Sequence, residues 1–284
     1  MPAALPGQSV QSNSPSYITV QVRANRRGVF FFQFNKILAV PSTCSQVFEA
    51  RYPTAFPLPL KMLRDHLRIV YLHGFASSPA SRKANFFLGC LEAAGQHVHV
   101  PDLEQGDFEH LTISRQLSVL EEIACGEPVI LIGSSMGGYL AALYAARHPE
   151  VDRLILLAPA FGLYQLWVEQ LGPERIAEWK RNGTRLFFHY AAQRELPLGY
   201  QLLEDASRFE PFPDVHQPVL IFHGTEDSTV PVQQSLAFVQ AHPNALLLQM
   251  KSGHELTDVL PTIWEESRIF LIESVALNDG GARL

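Results

Sequence analysis

From about residue 67 onward, short apolar runs alternate along the chain with longer amphipathic stretches. The apolar runs have few polar interruptions, which is typical of strands buried on both faces of a sheet. The runs that we interpret as strands are 68–72, 97–100, 128–132, 154–158, 219–222 and 246–250. The stretches that we interpret as helices are 82–94, 113–125, 136–148, 232–242 and 263–275. This alternation predicts an α/β fold with a mostly parallel central sheet and helices on both of its faces.

One interval, residues 161–216, interrupts the alternation. It is rich in helix-forming and aromatic residues and has no strand-like run, so we interpret it as a helical cap inserted into the fold. Apolar cap residues that could form an acyl or alcohol pocket are Phe161, Leu163, Tyr164, Leu166 and Trp167. Ligand sites are usually concave and apolar, but an ordinary packing stripe explains these residues equally well. A pocket of this kind predicts a preference for short to medium acyl chains.

Residues 1–61 differ in composition from the rest of the chain. They are rich in Ser and Pro and contain six basic residues against the single acid Glu49, so their net charge is +5 within a chain of net charge -6. Three interpretations compete. The segment is a poorly ordered extension, or upstream sequence before a start at Met62; it is a β-hairpin of 17–23 and 28–34 added to the sheet edge; or it is an organelle transit peptide. The predicted domain then covers residues 62–284, with the cap inside it.

Charge and composition exclude several classes of function. The acidic balance and a pI near 6.0 provide no basic field for nucleic acid. The three cysteines Cys44, Cys90 and Cys125 are widely spaced and match neither a disulfide framework nor a zinc site. No apolar run is long enough for a membrane span, and the N-terminus lacks the pattern of a secretion signal. We therefore expect a cytoplasmic protein, or an organellar one if residues 1–61 are a transit peptide.

The strongest local signal is the segment Gly133-Ser134-Ser135-Met136-Gly137, which lies between a predicted strand and a predicted helix. A sharp strand-to-helix turn holds a serine hydroxyl above the sheet, and the close approach of the backbone favours Gly at positions 133 and 137. The alternative is an ordinary glycine-rich turn. The placement between strand and helix favours Ser135 as a nucleophile.

A nucleophilic serine also needs a base and an acid that orients the base. Asp227 lies in the loop after the predicted strand 219–222, and His254 lies in the loop after 246–250. All three loops lie at the carboxyl edge of a parallel sheet, and the order of nucleophile, acid and base is the one used in α/β-hydrolases. Simpler alternatives stay open: Asp227 caps a helix, Glu226 is the acid, or His254 is a solvated loop residue.

Hydrolysis of an acyl group also requires donors for the oxyanion. The segment Leu72-His73-Gly74-Phe75 follows the first core strand, so the backbone N–H of Phe75 is one candidate donor, and the N–H of Met136 is the second. We interpret His73 as a structural turn residue rather than as a second base.

These motifs together resemble the α/β-hydrolase superfamily, and within it the small YqiA-like serine esterases. The similarity covers about residues 67–272 and rests on His73-Gly74-Phe75-Ala76-Ser77-Ser78-Pro79, Pro101-Asp102-Leu103, Gly133 to Tyr139, His223-Gly224 with Asp227, and His254-Glu255-Leu256. The resemblance implies hydrolysis of a small-molecule ester or thioester through an acyl-enzyme, without a cofactor or metal. The chain departs from the smallest members of that group in its N-terminal extension and in the 161–216 insertion.

Two other kinds of function remain open on the sequence. The same fold and triad serve peptidases, C–C bond hydrolases, haloperoxidases and lyases, because a fold does not determine a reaction. A hydrolase-like binding protein without activity is the non-enzyme alternative. The presence of a candidate for every triad member argues against it.

Overall fold

The computed structural model describes residues 67–273 and, before them, the backbone of three short strands at 22–24, 30–32 and 38–39. The chain divides into two compact units, Met1–Leu38 and Ala39–Leu284. In the first unit, β1 (Val22–Ala24) pairs antiparallel with β2 (Phe30–Phe32) as a two-stranded sheet of its own. This pair overlaps the predicted hairpin but is not a part of the central sheet. The remainder of 1–61 lies outside the described residues, so the domain boundary at residue 61 and the choice among its interpretations stay predictions.

Most of the elements that follow alternate between strand and helix. In chain order they are β3 (Leu38–Ala39), β4 (Arg68–Leu72), α1 (Arg82–Ala93), β5 (Val98–His99), α2 (Ile113–Ala124), β6 (Val129–Ser134), α3 (Met136–Ala145), β7 (Val151–Leu157), α4 (Leu163–Asn182), β8 (Thr184–His189), β9 (Arg194–Gly199), α5 (Gln201–Ala206), β10 (Val219–Gly224), α6 (Gln233–Ala241), β11 (Ala245–Met250) and α7 (Leu260–Glu273).

Within the second unit, the central sheet has the strand order β11-β10-β7-β6-β4-β5. The five neighbouring pairs from β11 to β5 are all parallel. The predicted α/β fold with a mostly parallel sheet is confirmed.

Alternate residues of the same strand pack into two different cores. In β4, Val70 belongs to one apolar cluster and Ile69 to the other, and in β6 the same is true of Leu131 and Ile130. Successive side chains of a strand point to opposite faces, so the sheet is covered on both sides. This explains why the strands read as near-continuous apolar runs rather than as alternating ones.

The insertion has a helix followed by a β-hairpin. Helix α4 has a break at Gly172, whose φ of 77° and ψ of 162° are non-helical, directly before Pro173. Strand β8 then pairs antiparallel with β9 along its whole length. The expectation that 161–216 contains no strand was therefore wrong. Side chains of β8 alternate between exposed and more buried positions, as expected for a strand with one covered face.

Candidate active site

Ser135 occupies the sharp turn between β6 and α3. Its φ of 54° and ψ of -118° lie outside the favoured regions for a residue with a side chain. The glycines on either side permit this turn: a Cβ at Gly133 would collide with the carbonyl of Gly137, and a Cβ at Gly137 would collide with that of Leu72. Strained backbone of this kind persists where surrounding structure enforces it, often at functional sites.

The three predicted triad residues form one hydrogen-bonded chain, with His254 between Ser135 and Asp227. His254 Nε2 is 3.1 Å from Ser135 Oγ, and His254 Nδ1 is 2.7 Å from Asp227 Oδ2. They come from the ends of β6, β10 and β11, at the carboxyl edge of the sheet. Since an ionised carboxylate only accepts hydrogen bonds, Nδ1 carries the proton and Nε2 is free to accept one from the serine hydroxyl.

The carboxylate of Asp227 is buried and held from several sides. Its side chain has no exposed area, and Oδ1 accepts hydrogen bonds of 2.8 Å from the backbone N–H groups of Thr229 and Val230. Burial alone would raise the pKa of Asp227, but hydrogen bonds from His223 and His254 bring it below the ordinary value of 3.8. Asp227 is therefore ionised at neutral pH. Glu226, the alternative acid, is exposed.

His223 makes a second side-chain contact with the acid, which the sequence did not predict. It is fully buried at the end of β10, with Nε2 3.2 Å from Asp227 Oδ2 and 2.9 Å from the carbonyl of Val230. Both of these neighbours are acceptors, so Nε2 carries the proton. Nδ1 then accepts from the hydroxyl of Ser235 at 2.8 Å. In the sequence, the signal for this contact is a histidine four residues before the candidate acid Asp227.

The backbone of the loop after β4 passes close to Ser135. A Cβ built on Gly74 would lie 3.4 Å from Ser135 Cβ and 4.0 Å from its Oγ. This places the peptide leading to Phe75 beside the serine. Met136 begins the helix behind it. That the N–H groups of Phe75 and Met136 bind the oxyanion stays a prediction, which this arrangement supports.

His73, in the same loop, has a structural environment. It is only 2% exposed, and its Nε2 accepts a hydrogen bond of 3.3 Å from the backbone N–H of Leu103. Burial lowers the pKa of His73, which favours the neutral ring. The ring therefore joins two loops, as the interpretation of His73 as a turn residue expects.

A cavity of about 690 Å³ opens beside Ser135 and His254. Its walls differ in chemistry. One wall is rich in hydroxyl and cationic groups and includes Ser77, Ser78, Ser81, Arg82 and Lys83. The other wall is aromatic and includes Phe75, Phe187, Phe188 and Tyr190.

The aromatic wall comes mainly from the β8–β9 hairpin, and the structure places the predicted pocket residues elsewhere. Phe161 is fully buried, with its ring stacked 4.3 Å from that of Phe238, and Leu163 and Leu166 lie in the core. Trp167 packs behind the wall, against Phe75 and Phe187.

Tyr164 is partly buried and packs against the same core. The packing alternative therefore describes these residues better than the pocket does. The hairpin supplies the apolar surface instead.

Lys83 and Glu255 form an ion pair at the edge of the cavity, with Nζ 3.6 Å from Oε2. Burial lowers the pKa of Lys83, and the charge of Glu255 opposes that shift. Among the residues that the structure describes, no group of three or more His, Cys, Asp or Glu side chains could hold a metal ion. No helix in this part of the chain is long and apolar enough to cross a membrane.

Comparison with solved structures identifies the fold. Est1E from Butyrivibrio proteoclasticus is 22% identical with a TM-score of 0.62, over 75% of this chain and 90% of that one. Alpha/beta hydrolase domain-containing protein 10 from mouse is 23% identical with a TM-score of 0.61, over 71% of this chain and 88% of that one. At these identities the likeness shows the fold, which is that of the α/β-hydrolases.

Sequence relatives include hydrolases of several kinds. The mitochondrial palmitoyl-protein thioesterase ABHD10 of Rattus norvegicus is 34% identical over 151 residues, which are 50% of this chain and 50% of that protein. The acylamino-acid-releasing enzyme of Rattus norvegicus is 29% identical over 159 residues, 54% of this chain and 21% of that protein. Monoacylglycerol lipase abhd6-B of Xenopus laevis is 24% identical over 57% of this chain and 49% of that protein. The chain thus spans half or less of the length of these relatives.

The family model described as "Uncharacterised protein family (UPF0227)" matches residues 68–270, which contain all three residues of the hydrogen-bonded serine, histidine and aspartate chain. The predicted resemblance to the α/β-hydrolase superfamily is confirmed by the fold and by these matches, and the chain belongs to the family UPF0227.

Proposed function

We propose that this protein is a serine hydrolase that cleaves a carboxylic ester or thioester through an acyl-enzyme on Ser135. The observation that carries the proposal is the continuous hydrogen-bonded chain from Ser135 Oγ through His254 to a buried, ionised Asp227. This arrangement has the geometry by which a serine hydroxyl becomes a nucleophile.

In the first half of the reaction, His254 Nε2 takes the proton of the Ser135 hydroxyl while Oγ attacks the acyl carbonyl carbon. The carbonyl electron pair moves onto oxygen, and the N–H groups of Phe75 and Met136 stabilise the resulting oxyanion. When the tetrahedral intermediate collapses, the bond to the alcohol or thiol breaks. The leaving group takes the proton from His254.

In the second half, water attacks the acyl-enzyme. His254 now removes a proton from the water molecule and then returns a proton to Ser135 Oγ as the carboxylic acid is released. Asp227 holds His254 in the required tautomer and stabilises the imidazolium in both halves. Every step uses groups of this chain and water.

The sequence relatives support ester and thioester substrates. One is named a palmitoyl-protein thioesterase and another a monoacylglycerol lipase. A third is named an acylamino-acid-releasing enzyme, which keeps release of an N-acylated amino acid from an amide as the second candidate activity. The mitochondrial name of the thioesterase is compatible with the organellar alternative for location.

A panel of three substrates tests the proposal. Purified protein is assayed with p-nitrophenyl butyrate, with S-butyryl-N-acetylcysteamine and with N-acetylalanine p-nitroanilide. We expect the ester or the thioester to be hydrolysed. In Ser135→Ala we expect kcat/KM to fall at least about a thousandfold.

Ser118→Ala is the matched control, since Ser118 lies on the exposed side of α2 and its hydroxyl donates only to the carbonyl of Ser114. It should behave as the wild type. Hydrolysis that survives Ser135→Ala unchanged would contradict the proposal. Turnover of the anilide alone would favour the second candidate activity.

A further inference from the structure

The outward face of strand β8 presents a stripe of three large apolar side chains to solvent. Leu186 is 58% exposed, Phe188 is 46% exposed and Tyr190, directly after the strand, is 66% exposed. Leu186 and Phe188 alternate along the strand and so share one face of the hairpin, and the ring of Tyr190 packs against that of Phe188. We call these three residues the outer stripe.

The opposite face of the same strand is packed against the domain. The ring of Phe187 lies 5.7 Å from that of Phe75 and 5.3 Å from that of Trp167. His189 is buried, with Nε2 2.8 Å from Glu104 Oε2. These contacts fix which face of β8 points outward. A shift of the strand by one residue would turn the outer stripe inward and expose the side chains that are now packed.

The solvent face of an antiparallel hairpin is ordinarily polar. Here the large apolar side chains that are strongly exposed in the described part of the chain all lie on this one stripe. Single exposed apolar residues need no explanation, whereas a contiguous group of them marks a binding surface.

The outer stripe continues the wall of the active-site cavity. Phe188 and Tyr190 line the cavity together with Ser135 and His254, and their rings lie 5.4 Å apart in an edge-to-face arrangement. Leu186 extends the same face beyond the cavity. From residue 190 to residue 186 the stripe is about 13 Å long, at the rise of a strand.

The two walls of the cavity differ in what they can bind. The polar part of the lining has the hydroxyls of Ser77, Ser78 and Ser81 and the cation of Arg82, which suit a polar leaving group. The aromatic wall and the outer stripe suit a hydrocarbon chain. An ester bound at Ser135 with its polar part toward Arg82 therefore has its acyl chain on the side of the hairpin.

We propose that the outer stripe, residues 186, 188 and 190, binds the distal part of a long acyl chain and makes the enzyme selective for long-chain acyl esters or thioesters. This rests on the proposed function, since the chain is placed by its carbonyl at Ser135. It differs from the preference for short to medium chains that the sequence predicts, because the apolar surface is the hairpin and not the start of the cap helix.

Kinetics with matched esters test the proposal. The ratio of kcat/KM for p-nitrophenyl dodecanoate to that for p-nitrophenyl butyrate, both below their micelle concentrations, is measured for wild type and variants. We expect the ratio to exceed one in the wild type and to fall about tenfold in Leu186→Gln, which removes apolar contact with the end of the chain only. Hydrolysis of the butyrate should not change.

Two variants are the controls. Leu186→Met keeps an apolar side chain and should keep the ratio, and Arg194→Gln changes an exposed residue of the same hairpin outside the stripe. Butyl and dodecyl butyrate vary the alcohol instead of the acyl chain. A chain-length preference that follows the alcohol, or a ratio that is the same in Leu186→Gln, would overturn the proposal.

A binding measurement separates this inference from the proposed reaction. Calorimetric titration of Ser135→Ala with dodecanoate and with butyrate needs no catalysis. We expect dodecanoate to bind at least about tenfold more tightly, and the added Leu186→Gln substitution to remove most of that difference. Equal affinities for the two acids would overturn the outer stripe as a chain site, even if ester hydrolysis is found. If dodecanoate binds more tightly than butyrate but no ester is hydrolysed, only the proposed reaction is refuted.

Discussion

His223 Nε2 lies 3.2 Å from Asp227 Oδ2, and neither side chain has any exposed area. The carboxylate that accepts a hydrogen bond from His254 is thus also in contact with a second histidine. Because Nε2 also faces the carbonyl of Val230, and Nδ1 faces the hydroxyl of Ser235, the ring has one favoured tautomer. The carboxylate position is thereby fixed by side chains of β10 and α6 as well as by its own loop.

Removing this contact should lower catalysis more than substrate binding. In His223→Leu the carboxylate loses a hydrogen bond to a charged group, worth about 1.5–3 kcal/mol, so we expect kcat to fall about tenfold to a hundredfold with little change in KM. The pH profile of kcat/KM should also shift, because the carboxylate that accepts from His254 moves. Steady-state kinetics across pH measure both.

His223→Gln is the matched variant, since its amide nitrogen reaches about the position of Nε2 and can donate the same hydrogen bond. It should recover most of the loss. If both variants lose activity through lower stability alone, with an unshifted pH profile in the folded fraction, the orienting role of His223 is refuted.

The glycines on either side of the sharp turn at Ser135 should tolerate no side chain. A Cβ at Gly137 meets the backbone carbonyls of Leu72 and His73, which cannot move without disturbing β4 and its loop. We expect Gly137→Ala to lower the free energy of unfolding by about 3 kcal/mol or more. Chemical denaturation measures the change.

Gly89 provides the contrasting position, because it lies inside α1 with nothing within 4 Å of an added Cβ. Gly89→Ala should raise the free energy of unfolding by about 0.5–1 kcal/mol, since alanine loses less conformational entropy in a helix. Similar effects at both positions would show that close approach of the backbone is not the reason for glycine at position 137.

Stability in acid should depend on Asp227. Its pKa is lower in the folded protein than its ordinary value of 3.8, so the ionised carboxylate stabilises the fold at pH values above about 4, and this contribution is lost as pH falls toward the lowered pKa. In Asp227→Asn, the free energy of unfolding should decline less steeply below about pH 4, by up to about 1.4 kcal/mol per pH unit. Urea denaturation at a series of pH values measures the slopes. Parallel slopes for the two proteins would contradict the buried, hydrogen-bonded state of the acid.

The position of the aromatic wall of the cavity should depend on the hydrogen bond between His189 and Glu104. His189 Nε2 lies 2.8 Å from Glu104 Oε2, while Nδ1 accepts from the N–H of Ala192, so a neutral ring donates to the carboxylate. His189→Leu leaves the carboxylate buried and unpaired. We expect KM for a long-chain ester to rise about tenfold as the wall moves, with a smaller change in kcat.

Glu104→Gln keeps an acceptor for the same ring and should have a weaker effect. Burial raises the pKa of Glu104, with the hydrogen bond from His189 acting against that shift, so a neutral amide is a fair replacement. A fall in kcat with KM unchanged in His189→Leu would place this pair in the chemistry rather than in the wall.

Local patterns predicted the central sheet and the position of Ser135 well. The central strands β4, β6, β7 and β10 are short, mostly buried apolar runs, and the glycines at 133 and 137 follow from close approach of the backbone, so both signals are present within a few residues of sequence. The loops that bring Asp227 and His254 to the serine follow from the parallel order of β6, β10 and β11.

The cavity could not be predicted in the same way. Phe187 and Phe188 lie shortly after the end of helix α4. Only the pairing with β9 makes their segment a strand with one face inward and one outward. The contact of His223 with Asp227 depends on how the loop to Val230 folds back over the ring. These features arise from tertiary packing, which periodicity in the sequence does not report.

The most direct test of the proposed function is labelling of the purified protein with a fluorophosphonate, followed by peptide mass spectrometry. The hydrogen-bonded chain from Ser135 to Asp227 predicts one covalent adduct, on Ser135, that forms rapidly in the wild type, is absent in Ser135→Ala and is strongly slowed in His254→Ala. A folded wild-type protein that stays unlabelled, or an adduct on another serine, would contradict the account.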